Sequence, residues 1–140
     1  MFTKVRECMI SNVETLGPES TMEEAVQLEM RRKIRHIPVL EDGKLVGILT
    51  DRDLKRAMPS LLTGNDREVH ERVLKGTLVS QLMTKSPTTV APDLPLRDAV
   101  RILVEKKFGA LPVVEGGRLV GIITEIDLLR AYLKILDRES

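Results

Sequence analysis

The stretch KLVGILTDRDLKRA (Lys44–Ala57) recurs as RLVGIITEIDLLRA (Arg118–Ala131), 74 residues further along the chain. The likeness extends without a gap over Cys8–Ala57 and Leu82–Ala131, where 19 of 50 positions hold the same residue. A repeat of about 50 residues buries too little apolar surface to be stable alone, so each copy is expected to need the other. A duplicated unit usually packs against its copy about a pseudo-twofold axis, which would make any site at the seam occur in two versions.

Composition excludes several classes of function. The 140 residues are 42% hydrophobic and 31% charged, a globular balance, and 22 Lys and Arg face 21 Asp and Glu. Such a chain has no basic field for nucleic acid or acidic membranes, and its three aromatic residues are too few to stack bases. The single cysteine, Cys8, excludes an internal disulfide and is expected to be a small core residue. With no membrane-length apolar run and no signal peptide at the N-terminus, a cytoplasmic protein without a membrane partner is expected.

The pattern of each copy predicts the order β-α-β-β-α, which corresponds to an α/β fold. The first helix of copy one should begin at a capping box, Ser20–Glu23, and the matching helix of copy two near Pro95. Two β runs then flank a tight turn, Asp42-Gly43 or Gly116-Gly117. A last helix follows Thr50 or Thr124. The first helices are expected to point these residues inward: Met22, Ala25, Val26 and Met30, and Leu96, Ala99, Val100, Leu103 and Val104.

The predicted division is a first motif over residues 1–60, a linker over 61–76, and a second motif over 77–140. Pro59 and Gly64-Asn65-Asp66 mark the linker region, and its later part, REVHERVLKG, is compatible with one or two helical turns. His70 lies there and is expected to be exposed to solvent.

A Gly-x-x-Thr-x-x-Asp pattern closes both copies, ending in Thr50 and Asp53 or in Thr124 and Asp127. One interpretation is structural, because Thr-x-x-Asp resembles a capping box. The other is a nucleotide site, because a helix N-terminus favours phosphate and a carboxylate suits the paired hydroxyls of a ribose. The Gly would let a ligand approach the backbone closely. Spacing alone leaves both open.

The repeated unit resembles the CBS domain, and the whole chain resembles a tandem CBS pair (a Bateman module). The resemblance rests on Ile37-Pro38-Val39, on Leu111-Pro112-Val113 and on the two Gly-x-x-Thr-x-x-Asp ends. Stretches such as IRHIPVL, TDRDLKRAMPS and DLLRAYL are also similar to small stand-alone bacterial CBS proteins of the acetoin-utilisation AcuB type. The resemblance implies a regulatory module that binds AMP, ADP, ATP or S-adenosylmethionine in the cleft between the repeats, with no required cofactor.

Residue roles carry over from the resemblance position by position. The motif Asp residues would bind ribose hydroxyls, and the motif Thr residues would lie beside the ribose and phosphate. Arg35 and His36, before the first Pro-Val strand, would meet phosphates, whereas copy two has Gly109 and Ala110 there. The remaining implied contacts are Ile48, Arg52, Met83, Thr88 and Phe108 for the Asp53 site, and Met9, Glu14, Ile34 and Ile122 for the Asp127 site.

Copy one has Arg35 and His36 where copy two has Gly109 and Ala110, and Ile126 replaces Arg52 in the second copy. This difference in charge predicts that a phosphorylated ligand prefers the Asp53 site. The resemblance further implies a homodimer formed through helices and signalling to an unidentified effector protein. A scaffold that binds only proteins is the main alternative. An enzyme is disfavoured, because no nucleophile with a His and an acid, no HExxH and no Walker glycine loop is present.

Overall fold

The computed structural model describes residues 3–58 and 67–139, which form an α/β fold with two repeats as predicted. Pro59 and Gly64-Asn65-Asp66, assigned to the linker, lie outside the described residues. The later linker is a ten-residue helix, longer than the sequence indicated. The helices are α1 (Met22–Arg32), α2 (Asp51–Ala57), α3 (Arg67–Gly76), α4 (Val79–Leu82), α5 (Leu96–Lys106) and α6 (Glu125–Glu139). The strands are β1 (His36–Glu41), β2 (Lys44–Thr50), β3 (Thr84–Lys85), β4 (Ala110–Glu115) and β5 (Arg118–Thr124).

Both predicted hairpins are present. β1 pairs antiparallel with β2, and β4 with β5, in the same register. Asp42 and Gly43 have φ of 51° and 79°, and Gly116 and Gly117 have φ of 58° and 79°. Two consecutive residues at positive φ make the tight turn whose twist matches paired strands, which is why these dipeptides mark the hairpins.

The first helix of copy one starts one residue later than the sequence indicated. Thr21, not Ser20, is the N-cap, and its hydroxyl accepts a hydrogen bond from the Glu24 amide at 3.2 Å. The Ser20 hydroxyl instead accepts from the Gly17 amide at 3.1 Å. Two adjacent hydroxyls were available, and the turn before the helix uses the first of them.

The chain divides into two compact units. One is Glu14–Ser86, called here the Asp53 unit, and the other combines Met1–Val13 with Pro87–Ser140, called the Asp127 unit. Each has its own core, built largely on equivalent positions. The Asp53 core contains Met22, Ala25, Leu28, Ile37, Val39, Leu49, Leu54 and Val79. The Asp127 core contains Val5, Val90, Ala99, Leu103, Leu111, Val113 and Ile123.

These cores show that the copies exchange their opening segments. Val5 precedes copy one but is fully buried in the Asp127 core, and Val79 precedes copy two but is fully buried in the Asp53 core. The backbone follows the same rule, because the Val5 amide donates to Leu94 O at 3.0 Å and the Val79 amide to Ser20 O at 2.8 Å. Each compact unit therefore combines one repeat with the opening segment that precedes the other repeat.

Three residues expected to point inward are exposed. Met30 on α1 is 75% exposed, Val104 on α5 is 69% exposed, and Val100 on α5 is 37% exposed. The inward faces are narrower than the apolar pattern suggested, because α1 buries Met22, Ala25 and Leu28, three residues apart. His70 also differs from expectation, because its side chain is partly buried and its Nε2 has no hydrogen-bond partner among the described residues.

Within residues 3–58 and 67–139, no helix combines the length and the apolar character needed to cross a membrane.

Candidate functional site

The Asp53 half-site lies where β2 ends and α2 begins. The Thr50 amide donates to Asp53 Oδ2 at 2.9 Å, and the Asp53 amide donates to the Thr50 hydroxyl at 3.2 Å. This is the capping box that the spacing predicted. It holds the carboxylate against the first turn of the helix.

Arg35 and His36 reach the same place from β1. His36 is paired with Thr50 across the hairpin, and the Asp51 amide donates to Arg35 O at 3.0 Å. The Arg35 side chain is exposed and the His36 side chain is partly buried. The hairpin thus places the backbone of Arg35 and His36 beside the strand end that carries Thr50, and their contact with phosphate stays a prediction.

The Asp127 half-site repeats this geometry in the other unit. The Thr124 amide and hydroxyl donate to Asp127 Oδ2 at 2.9 and 2.8 Å, and the Asp127 amide donates to the Thr124 hydroxyl at 3.3 Å. The Glu125 amide donates to Gly109 O at 3.0 Å, matching the Arg35 contact. Asp127 is only 9% exposed, whereas Asp53 is partly exposed.

Capping does not use up either carboxylate. In both half-sites the capping hydrogen bonds engage Oδ2 alone. A carboxylate has two oxygens and about four lone-pair positions, so capping leaves acceptor capacity for a ligand hydroxyl. The structural and ligand-binding interpretations of Thr-x-x-Asp are therefore compatible, and the capping bonds would hold the carboxylate in one orientation.

The motif glycines have a different role from the one expected. A Cβ built on Gly121 would lie 2.7 Å from Met9 Sδ and 2.8 Å from Ile10 O. A Cβ on Gly47 would likewise lie 2.9 Å from Met83 Cγ and 3.0 Å from Thr84 O. The space beside each glycine is filled by the exchanged opening segment, so Gly is needed for close packing of that segment, not for approach of a ligand.

The other implied contacts divide between the two units. Ile48 and Met83 belong to the Asp53 unit with Asp53 itself, and Ile122 and Met9 belong to the Asp127 unit with Asp127. Ile48 and Ile122 are buried, and both Met side chains are partly buried. The contacts implied from the opposite copy lie in the other unit in each case: Thr88 and Phe108 for Asp53, and Glu14 and Ile34 for Asp127.

The charges around Arg35 include an acid that sequence reasoning passed over. Burial raises the pKa of Glu29 on α1, and the Asp51 carboxylate raises it further, while Lys55 and Arg35 lower it. Lys55 also lies 3.8 Å from Asp51. The equivalent of Glu29 in copy two is Leu103, a core residue. The Asp53 half-site therefore has a carboxylate at this position that its counterpart lacks.

Cys8 reports on the Asp127 half-site. Its thiol is partly buried and packs against the Asp127 core, as expected for a small core residue. Burial raises the pKa of the Cys8 thiol, and the carboxylates of Glu7 and Asp127 raise it further. The sequence held no sign that Cys8 and Asp127, 119 positions apart, act on each other.

We expect Asp127→Asn to make Cys8 more reactive. Removing the carboxylate charge lowers the pKa of the thiol, so more thiolate is present at about pH 8, near the ordinary thiol pKa. The rate of reaction with a disulfide reagent, measured on the folded protein, should rise severalfold. Asp53→Asn is the matched control and should leave the rate unchanged. Equal rates for Asp127→Asn and the unsubstituted protein would contradict this placement of Cys8.

The exchanged opening segments are themselves partly repeated in the sequence, just before the gapless match that begins at Cys8 and Leu82. Thr3 and Val5 are repeated as Thr77 and Val79 at the same offset of 74 residues. The two matches lie before Cys8, where the sequences otherwise differ. Extending the repeat to Thr3 would have marked the segment as part of each copy, though not which unit it joins.

Comparison with known families agrees with this geometry. A family model described as the CBS domain matches residues 5–60 and 79–134. The chain belongs to the CBS-domain family. Both matches begin at the exchanged segments, at Val5 and Val79, so the family unit includes them. The predicted tandem CBS pair and its α/β fold are confirmed.

Three solved structures of CBS proteins are similar over nearly the whole chain. The AcuB protein of Vibrio cholerae is 30% identical, with a TM-score of 0.81, covering 100% of this chain and 98% of that one. CBSX2 of Arabidopsis thaliana in complex with AMP is 33% identical, with a TM-score of 0.78 and coverage of 94% and 97%. The CBS pair of protein MJ0100, in complex with 5′-methylthioadenosine and S-adenosyl-L-methionine, is 25% identical, with a TM-score of 0.76 and coverage of 93% and 99%.

Proposed function

We propose that this CBS pair is a non-catalytic regulatory module that binds an adenine nucleotide or adenosyl compound at its Thr-x-x-Asp half-sites. The observation that carries the proposal is that, among the described residues, the motif Thr of each unit holds the motif Asp through one carboxylate oxygen only. A decayed pair would need neither arrangement. Complexes of CBSX2 with AMP and of MJ0100 with two adenosine compounds support the ligand class.

Asp53 and Asp127 each bind the ribose hydroxyls in this proposal, and Thr50 and Thr124 lie beside the sugar and phosphate. Ile48 and Met83 in one unit, and Ile122 and Met9 in the other, supply apolar contacts to the base. By the same resemblance we propose Thr88 and Phe108 of the opposite copy for the first site, and Glu14 and Ile34 for the second. Each of these assignments is open to single substitution.

The two half-sites differ in charge, and the ligand should distinguish them. Arg35, His36 and Arg52 surround the Asp53 half-site with groups suited to phosphate, because charge-assisted hydrogen bonds to phosphate are strong. Gly109, Ala110 and Ile126 occupy the equivalent positions near Asp127. A phosphorylated ligand therefore prefers the Asp53 half-site, and the Asp127 half-site suits a less charged adenosine compound.

Isothermal titration with AMP, ADP, ATP and S-adenosylmethionine tests the proposal. We expect saturable binding, and Asp53→Ala should weaken binding of AMP by about 10-fold to 1,000-fold, as expected when hydrogen bonds to a charged group are lost. Asp127→Ala should leave AMP affinity within about twofold. Equal losses in both variants would refute the asymmetry. No binding of any of the four compounds would refute the ligand-binding function and leave a protein-binding scaffold.

Thermal unfolding separates binding from capping in the same variants. Loss of the capping bond alone should cost about 0.5–2 kcal/mol in either variant, without a selective binding defect. If Asp53→Ala loses stability but keeps its affinity for AMP, the carboxylate caps the helix and does not bind the ligand.

We further propose a homodimer that forms through the Asp127 unit. Helix α6 exposes a run of large apolar side chains that its own unit does not cover: Ile126, Leu129, Tyr132, Leu133 and Leu136. Their exposed area is on the order of several hundred Å², a substantial part of the roughly 800 Å² per partner of a standard interface. A symmetric contact between two such faces would cover them.

Signalling in this proposal is a population shift. The ligand stabilises the conformation to which it binds more tightly, and a separate effector protein binds that conformation. The energy available is limited to the difference between the ligand's affinities for the two conformations. We place the protein in the cytoplasm, because a single cysteine is typical of reducing compartments.

A further inference from the structure

The segment Thr3–Ile10, named here the N-terminal strap, is part of the Asp127 unit although it precedes copy one. Its backbone is joined to that unit at both ends. The Leu96 amide donates to Thr3 O at 2.8 Å, and the Arg6 amide to Pro92 O at 2.9 Å. The Ile10 and Ile122 amides donate to each other's carbonyls, both at 2.9 Å.

One side chain anchors the strap in the core. Val5 is fully buried among the residues of the Asp127 core, whereas its neighbours Lys4, Arg6 and Glu7 are exposed. Arg6 forms an ion pair with Asp93, and both side chains are about half exposed. An exposed ion pair contributes little, so docking of the strap depends mainly on Val5, on Cys8 and Met9 packed against the core, and on the backbone hydrogen bonds.

The strap also forms part of the Asp127 half-site. Its Met9 packs over Gly121, three residues before Thr124, and its Ile10 pairs with Ile122 on the strand that leads to the site. Cys8 on the strap is close enough to Asp127 for the carboxylate to raise the pKa of the thiol. Release of the strap would therefore remove Met9 and uncover β5 beside Ile122.

The equivalent segment of the Asp53 unit is held more firmly. Thr84 and Lys85 form the short strand β3, which pairs with Ile48 and Gly47, and the Ser86 amide also donates to Val46 O at 3.3 Å. The strap has only the single bridge between Ile10 and Ile122 at the matching place. Opening of short, weakly paired segments requires less free energy than global unfolding, so the strap should open first.

We propose that the N-terminal strap is a positioning element of the Asp127 half-site, so that ligand binds there only when the strap is docked, and bound ligand in turn retains the strap. The inference rests on the proposed function, because it names what controls one of the two half-sites. By thermodynamic linkage the two effects are equal in size. The Asp53 half-site is not subject to this control.

Cys8, the only cysteine of the chain, is a built-in probe of strap release. The rate at which a disulfide reagent modifies Cys8 is measured in Asp53→Ala protein, with and without saturating AMP or 5′-methylthioadenosine. Val5→Ala is then added to the same protein, with Val5→Ile as the conservative variant. Val79→Ala, the same truncation in the other unit, is the matched control.

Ligand is expected to slow modification of Cys8 by about 10-fold, within the 5-fold to 150-fold range of typical couplings. Val5→Ala should speed modification without ligand and weaken binding at the Asp127 half-site by about the same factor. Val5→Ile should restore both, and Val79→Ala should change neither by more than about twofold. Backbone amides of β4 and β5 should keep their slow hydrogen exchange in Val5→Ala, which a general loss of structure in the unit would not allow.

Three results would overturn the inference, and they are distinguishable. If the Asp53→Ala protein binds ligand but Cys8 modification is unchanged, the strap and the site are not coupled. If the unsubstituted protein binds ligand and Asp53→Ala protein binds neither compound, the Asp127 half-site has no ligand to control, while the proposed function stands on Asp53. If the unsubstituted protein binds nothing, the proposed function fails and the inference with it.

Discussion

Val5→Asp should unfold the Asp127 unit and leave the Asp53 unit folded, although the second segment of the Asp127 unit begins 82 positions after Val5. Val5 is fully buried in the core that contains Val113 and Ile123, and the buried residues that the structure describes include no cation to pair with a carboxylate. Leaving an unpaired charge in such a place costs about 3–5 kcal/mol, a large part of the 5–15 kcal/mol that stabilises a typical domain. The carboxylate can be solvated only if the strap leaves the core, and a strap that stays undocked leaves that core open to water, whereas in Val5→Ala the strap opens only transiently.

Hydrogen exchange of the full chain, followed by mass spectrometry, locates the damage. Peptides from residues 90–131 should lose protection in Val5→Asp, whereas peptides from residues 22–54 should keep it. The mirror variant Val79→Asp should give the reverse pattern, because Val79 is buried in the Asp53 core. Ser11→Asp is the control, since this exposed position can take a charge without loss of protection.

The opposite pattern would show that the exchange of opening segments is wrong. If Val5→Asp removed protection from residues 22–54 first, Val5 would belong to its own copy, as the division into residues 1–60 and 77–140 predicts. The division into two motifs and a linker remains a prediction about where the family motifs begin and end along the sequence. The exchange of opening segments is a separate matter, because it concerns which residues share a core.

The double substitution Ile126→Arg with Leu129→Lys should convert the proposed homodimer into monomers. It places on α6 the residues that copy one carries at the same positions, Arg52 and Lys55. Ile126 and Leu129 are 52% and 62% exposed, so the unit itself should tolerate both changes. Each buried Leu or Ile contributes about 1.5–3 kcal/mol, so losing two in each copy should weaken dimerisation by more than about 1,000-fold.

Sedimentation equilibrium measures the outcome directly. The unsubstituted protein should have twice the 15.7 kDa chain mass, and the double variant the mass of one chain. The reciprocal variant Arg52→Ile with Lys55→Leu is the matched control and should remain dimeric. A monomeric unsubstituted protein, or a double variant that remains dimeric, would refute this interface. Unchanged thermal unfolding of the double variant would exclude misfolding as the cause of a lower mass.

The predictable part of the site is local. The Thr50–Asp53 and Thr124–Asp127 capping boxes join residues three apart, so spacing in the chain places them in space. Arg35 and His36 reach Thr50 because a two-residue turn between β1 and β2 sets the hairpin register. Here sequence separation is short or the connection is tight, and few alternatives compete.

The errors arose where neighbours distant in sequence decide. Met30, Val100 and Val104 follow a helical apolar pattern but are exposed, because a pattern marks apolar faces without saying what covers them. Gly121 was expected to let a ligand approach the backbone, but the space beside it is filled by Met9 and Ile10 of the strap. Both cases depend on packing between elements far apart in the chain.

A duplicated α/β CBS pair with two Thr-x-x-Asp motifs could be predicted from the sequence, and so could the presence of Arg35, His36 and Arg52 at positions where the second copy has Gly109, Ala110 and Ile126. Repetition, spacing and residue type are properties of the chain, and they need no neighbours to be read. The exchange of Val5 and Val79 between cores, and the packing of the motif glycines against the opposite opening segment, became visible only in the folded chain. The two opening segments carry Thr and Val at equivalent positions, Thr3 and Val5 or Thr77 and Val79, so the local signals are compatible with either assignment, and only the path of the folded backbone selects one.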